Sequence, residues 1–239
     1  MDRTTSPRSR VVFSVAVLVL ALATAATAMA VDVRGRLRVP SDFGQTPPEA
    51  PDDAQRNRYW DQWNGFLEPR PRGFDAARDL AVVLTGEGEF AEEQPGFRLA
   101  NGGLWPTTIV VRTGARLEIQ NTDAISHQIF AEGVEGFTDT PVAPGRMRPV
   151  DMPSAGHWPI ADTLYEHVTG HLHVVDDLVA RGTVSSDGRY RFTNINPGTY
   201  TLKVFFGEDV VHTQEGIVVE DRELTLDPVP LGGSAEAAQ

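Results

Sequence analysis

The chain predicts an all-β protein made of two antiparallel β-sandwiches. Three observations point there. Short apolar runs, several with period-two alternation, follow one another from Leu80 towards the C-terminus. Turns built on Gly and Asp separate them, and helical periodicity is almost absent. At 239 residues the chain suffices for one large domain or two of ordinary size.

Residues 1–30 read as an export signal. Arg3, Arg8 and Arg10 precede the apolar run "VVFSVAVLVLALA", and "AMA" (Ala28–Ala30) offers small residues at a cleavage site. An uncleaved anchor is the alternative, because Val11–Ala30 matches the length of a membrane span. The weakly apolar, Ala/Thr-rich second half favours cleavage. The expected location is therefore periplasmic or extracellular, with a membrane partner only if the segment is retained.

Cleavage would remove three Arg and one Asp from the 21 basic and 33 acidic residues, leaving 18 and 32 and a net charge of −14. Such a surface repels nucleic acid and anionic lipid. The chain has no cysteine, so an exported fold must rest on its core without disulfides, and thiolate chemistry is excluded.

Residues 31–93 hold N-terminal strands and a Pro-rich excursion. "VDVRGRLRV" (31–39) alternates apolar and charged residues, as a half-buried strand does. Within 40–78, "RYWDQWNGF" (58–66) sets Tyr59, Trp60, Trp63 and Phe66 at helix-like spacing. That suits a short helix capping a sheet, or an aromatic platform for a sugar or peptide. "LAVVLTG" follows as a buried-type run. "TTIVVRTGARLEIQN" reads as two strands joined by a Thr113-Gly114 turn. "HLHVVDD", "GRYRF", "TYTLKVFF" and "EGIVVED" continue the series, "LTLDPVPL" closes a final edge, and residues 232–239 form a disordered tail.

The stretch Phe97–Asp177 resembles a cupredoxin. The carrying residues are "IVVRTGARLEIQNTDAISHQIF", with Asn-x-Asp followed by His127, and "APGRMRPVDMPSAGHWPIADTLYEHVTGHLHVV" downstream. The expected unit spans residues 94–172. The resemblance implies that His127 stands at the family's first copper-ligand position. The remaining ligand places, Cys-x-x-His-x-x-Met in the family, fall at Asp162, Tyr165 and Val168, and a one- or two-residue slip would bring in His167. No register supplies a cysteine, so type 1 copper is excluded.

Residues 173–231 resemble the carboxypeptidase regulatory-like domain, a transthyretin-type sandwich, through "SSDGRYRFTNINPGTYTLKV". Gly188 and Gly198 suit turns needing positive φ, and Phe192, Tyr200, Leu202 and Val204 alternate inward. Members of that family begin with strands like "VDVRGRLRV" and "LAVVLTG". The resemblance thus implies one sandwich split in sequence, with the cupredoxin-like unit inserted after its second strand.

Six histidines are available: His127, His157, His167, His171, His173 and His212. His171 and His173 would share a face on a strand. A metal set of His127, Asp162 and His167 would suit Cu(II) or Zn(II) in a non-type-1 site. Catalysis finds no support. Ser126 and His127 are neighbours that would point to opposite strand faces, and no Gly-x-Ser-x-Gly, His-Glu-x-x-His or phosphate loop occurs. The expected function is a non-catalytic exported binding or scaffold protein without cofactor, its partner a protein or carbohydrate of the cell envelope. The alternative is a periplasmic metal-handling protein.

Overall fold

The computed structural model describes residues 29–44, 73–88, 90, 95–134, 137, 140–152 and 154–232. The export signal apart from its last two residues, the aromatic stretch 58–66 and nearly all of the C-terminal tail lie outside the described residues.

The chain enters through β1 (Val31–Arg38). A single helical turn, α1 (Ala76–Asp79), leads into β2 (Leu80–Thr85). The middle of the chain supplies β3 (Gly96–Leu99), β4 (Leu104–Trp105), β5 (Thr108–Arg112), β6 (Arg116–Asn121), β7 (Ile129–Phe130), β8 (Met147–Asp151), β9 (Gly156–Asp162) and β10 (Thr169–Val175). The last part adds β11 (Leu178–Arg181), β12 (Thr183–Val184), β13 (Arg189–Ile195), β14 (Gly198–Phe206), β15 (Asp209–Val219), β16 (Leu224–Thr225) and β17 (Val229–Pro230).

These strands form four small sheets. Their orders are β12-β13-β1-β16 with β17 also on β1, then β11-β2-β14-β15, then β5-β10-β9-β7, and β4-β3-β6-β8. The two N-terminal strands pair far downstream. β1 runs antiparallel to β13, with Gly35 opposite Tyr190, and β2 runs antiparallel to β14, with Leu84 opposite Leu202. "LTLDPVPL" becomes β16 and β17, both parallel to β1.

Alternation within the strands sorts their side chains into three apolar clusters. Val33, Leu37, Val82, Leu84, Phe192, Tyr200, Leu202 and Val204 share one, between the first two sheets. Phe97, Leu99, Ile109, Val111, Ile119, Ile160, Leu172 and Val174 share another, between the last two. Val83, Val110, Leu178 and Phe205 make the third, where the β2 sheet meets the β5 sheet. In β2, Val82 and Leu84 therefore serve one cluster and Val83 the other. In β5, Ile109 and Val111 face away from Val110. Strands covered on both faces have no solvent side to mark with polar residues, which is why "LAVVLT" and "TIVV" read as unbroken apolar runs.

The turn at Gly114 (φ 77°) joins β5 to β6 as expected, and the two strands enter different sheets: β5 pairs with β10, while β6 pairs with β3 and β8. Two details differ from expectation. β10 runs unbroken across the expected boundary between residues 172 and 173, because His173, Val174 and Val175 pair with β5. The chain leaves that sheet at Asp176-Asp177. Gly188 has the positive φ its turn requires (80°), but Gly198 does not. Gly198 is needed for space instead, since a Cβ there would stand 2.9 Å from the Tyr200 hydroxyl.

Candidate functional site

Asn121 ends β6 and organises the loop that follows. Fully buried, it donates from Nδ2 to the carbonyls of Ile125 (2.8 Å) and Val142 (2.7 Å). Its Oδ1 accepts from the Asp123 N–H at 2.9 Å, which closes an Asx turn. The turn aims Asp123 back across the loop. His127 is then fixed by paired backbone bonds with Val142, His127 N–H to the Val142 carbonyl at 3.2 Å and the reverse at 2.7 Å.

The His127 ring has no exposed surface and lies between two carboxylates. Nδ1 is 2.6 Å from Asp162 Oδ2, and Nε2 is 3.2 Å from Asp123 Oδ2. Backbone N–H groups hold both acids. Asp162 Oδ1 accepts from Gln128 (3.2 Å) and Leu164 (2.9 Å). Asp123 accepts from the consecutive N–H groups of Asn101 (2.6 Å) and Gly102 (2.9 Å). Asn101 and Gly102 sit at φ 53° and 66°, the left-handed region that Asn and Gly tolerate best. An ionised carboxylate has no proton to give, so when both acids are ionised both ring nitrogens must donate. Three loops, after β3, β6 and β9, are thereby tied to one imidazole.

The other expected ligand places surround this knot without joining it. The Tyr165 ring centroid is 5.3 Å from that of His127, and Val168 is buried in the apolar cluster beneath. His167 is exposed, its ring packed edge-on to Tyr165 at 6.2 Å. The structure thus joins His127 to Asp162 and leaves His167 apart. Among the described residues, no three side chains of His, Cys, Asp or Glu are arranged to hold a metal ion. Asp123 is the functional group that sequence reasoning missed. Its signal was present in "NTDAISH", where an Asx turn folds the aspartate towards a histidine four residues on.

A second group of histidines lies where the β2 and β5 sheets meet. His157 on β9 is directly opposite His173 on β10, with ring centroids 4.6 Å apart, and its Nε2 is 3.1 Å from His171 Nδ1. His173 Nε2 donates to the Gly207 carbonyl at 2.8 Å, and its ring packs on Phe205 at 4.7 Å. Burial outweighs that hydrogen bond and takes the His173 pKa down to about 4. Burial and the neighbouring His157 lower that of His171. Elsewhere, an open cavity of about 780 Å³ is lined by Arg36, Arg38, Phe43, Phe74, Ser186 and Asp187, among others.

No protein-family model and no curated protein matches the chain. Three solved structures illustrate what it is similar to. Amicyanin from Paracoccus versutus is 12% identical, over 39% of this chain and 97% of its own, with a TM-score of 0.31. An oxidised amicyanin variant is 16% identical, over 40% and 99%, with a TM-score of 0.32. A purple cupredoxin from Nitrosopumilus maritimus is 16% identical, over 34% and 100%, with a TM-score of 0.31.

Proposed function

We propose that the protein is a non-catalytic, exported binding or scaffold module built from two β-sandwiches. One is cupredoxin-like and works without type 1 copper; the other is of the carboxypeptidase regulatory-like, transthyretin type and is split in sequence around it. The pairing of β1 with β13 and of β2 with β14 supports the split. The observation that carries the functional reading is the closure of the polar knot. Both nitrogens of His127 face carboxylates, and backbone N–H groups hold each carboxylate further. On this reading a ligand position has become a loop clasp, its ring held between two carboxylates.

The partner on this reading is a protein or a carbohydrate of the cell envelope. The cavity beside Arg36, Arg38 and Phe74 has the volume of a small-ligand site and mixes aromatic with polar lining. The test is titration calorimetry with Cu(II) and Zn(II) on mature protein purified without a His-tag, for the parent and His127→Gln. The two should give matching traces without sub-micromolar binding, and Cu(II) should raise no intense blue absorption, since the chain has no thiolate. Sub-micromolar binding that vanishes in His127→Gln would favour the metal-handling alternative, with His127, Asp162 and His167 as ligands.

A further inference from the structure

Two polar contacts between the β2 and β5 sheets meet at Gly207, in the turn between β14 and β15; a separate pair, at the start of both strands, joins Thr107 to Arg78 and Asp79. Its N–H donates to Thr108 Oγ1 on β5 at 3.0 Å, and its carbonyl accepts from His173 Nε2 on β10. Around this clamp lie the apolar side chains of Val83, Val110, Leu178 and Phe205. His157 and His171 stand beside it, sharing one hydrogen bond between ring nitrogens.

We propose that the His157, His171 and His173 cluster is an acid-sensitive latch, which holds the two halves of the molecule together when its rings are neutral and releases them when they are protonated. The geometry sets how many protons the closed latch accepts. A bond between His157 Nε2 and His171 Nδ1 needs one nitrogen to donate and the other to accept. A second proton on that pair leaves two donors and two positive charges face to face. His173 donates to Gly207 through Nε2, so a further proton there adds a charge against Phe205 and the apolar seam.

Burial and the charged groups facing the cluster act in opposite directions, and burial sets the sign. From the β14–β15 turn, Asp209 favours the protonated form of His171 and His173, and Glu208 favours that of His171. From β9 and β10 the facing groups are the histidines themselves, which disfavour one another. From β5 and β14 they are Thr108, Val110 and Phe205, which carry no charge. Burial is the largest influence on both rings, the half-buried His171 and the buried His173, and their pKa values are depressed despite the two carboxylates. Acid therefore favours the open seam, in which the imidazoles meet water.

The Gly207 amide reports the latch directly, because its hydrogen bond crosses the seam. The experiment follows amide exchange by NMR in the full chain at pH 7 and pH 4.5, corrected for intrinsic rates. Ile119 and Leu202 report the two flanking cores. Gly207 should lose protection by roughly tenfold or more at the lower pH and become less protected than Ile119 and Leu202, which exchange only when their own cores open. In H157Q/H171Q/H173Q the loss at Gly207 should disappear; if that variant does not fold, H171Q alone should reduce it. Full protection of Gly207 at pH 4.5 would overturn the proposal. So would a Gly207 amide that at pH 4.5 stays as protected as Ile119 and Leu202, or a variant as acid-sensitive as the parent.

Discussion

The phenol of Tyr190 fills the space that a side chain would take at Gly35, its antiparallel partner on β1. The ring is 2% exposed and cannot swing aside, so the first strand must carry glycine at this point. Gly35→Ala should destabilise the protein by about 2 kcal/mol, as overpacking of a filled core does, measured by urea denaturation. The Tyr190 hydroxyl itself has no hydrogen-bond partner among the described residues. Tyr190→Phe should therefore be neutral or slightly stabilising in the same assay.

The knot at His127 should be worth more than an ordinary hydrogen bond. His127→Gln and Asp162→Asn should each cost about 2 kcal/mol, because hydrogen bonds to charged groups exceed neutral ones and a lost partner strands a buried acid. The double variant should cost clearly less than the sum of the singles. Strict additivity in the denaturation cycle would mean that the two side chains do not interact.

Stability should fall with acid in a defined window. The unfolded His173 titrates near 6.5 and the folded one near 4, so the unfolded chain holds more protons between those values. The contribution is complete above about pH 6.5 and is lost as pH falls through 4, by up to ~3 kcal/mol. Thermal melts from pH 7 to 4 should show this slope for the parent and a flatter one for His173→Gln.

A fourth prediction concerns the entry to β2. Asp79 receives two bonds from the Arg78 guanidinium (2.7 Å each), one from the Asp75 N–H (2.8 Å) and one from the Thr107 hydroxyl (2.8 Å). Asp79→Ala would strip the half-buried Arg78 of its ion-pair partner, leaving its bond to the Gly73 carbonyl (2.7 Å). It should cost about 3 kcal/mol, and Thr107→Val about 1 kcal/mol, by chemical denaturation.

Local chemistry was legible in the sequence, and long-range register was not. The inward alternation of Phe192, Tyr200, Leu202 and Val204 followed from strand geometry, and all four share one core. The His127–Asp162 contact was open to a count back from "HLHVV". The proximity of His157 to His171 depends on the register between β9 and β10, which no local pattern specifies. Nor could the unbroken run Val82-Val83-Leu84 say that alternate residues serve different cores. Gly198 shows the same in another way: positive φ and lack of room leave the same residue in the sequence, and only its neighbours in the fold separate them.

The pairing of β1 and β2 with strands beyond residue 178 also sets a timetable for synthesis. Both emerge from the ribosome early, yet β2 must wait for β11 and β14, and β1 for β13. Every strand from β3 to β10 finds its sheet partners within that same group, so this middle part can assemble while the first two strands are still unpartnered. The chain matures from its interior outward. Until residue 195 has been made, β1 lacks the partner of its own first residue, Val31, and both early strands present open edges.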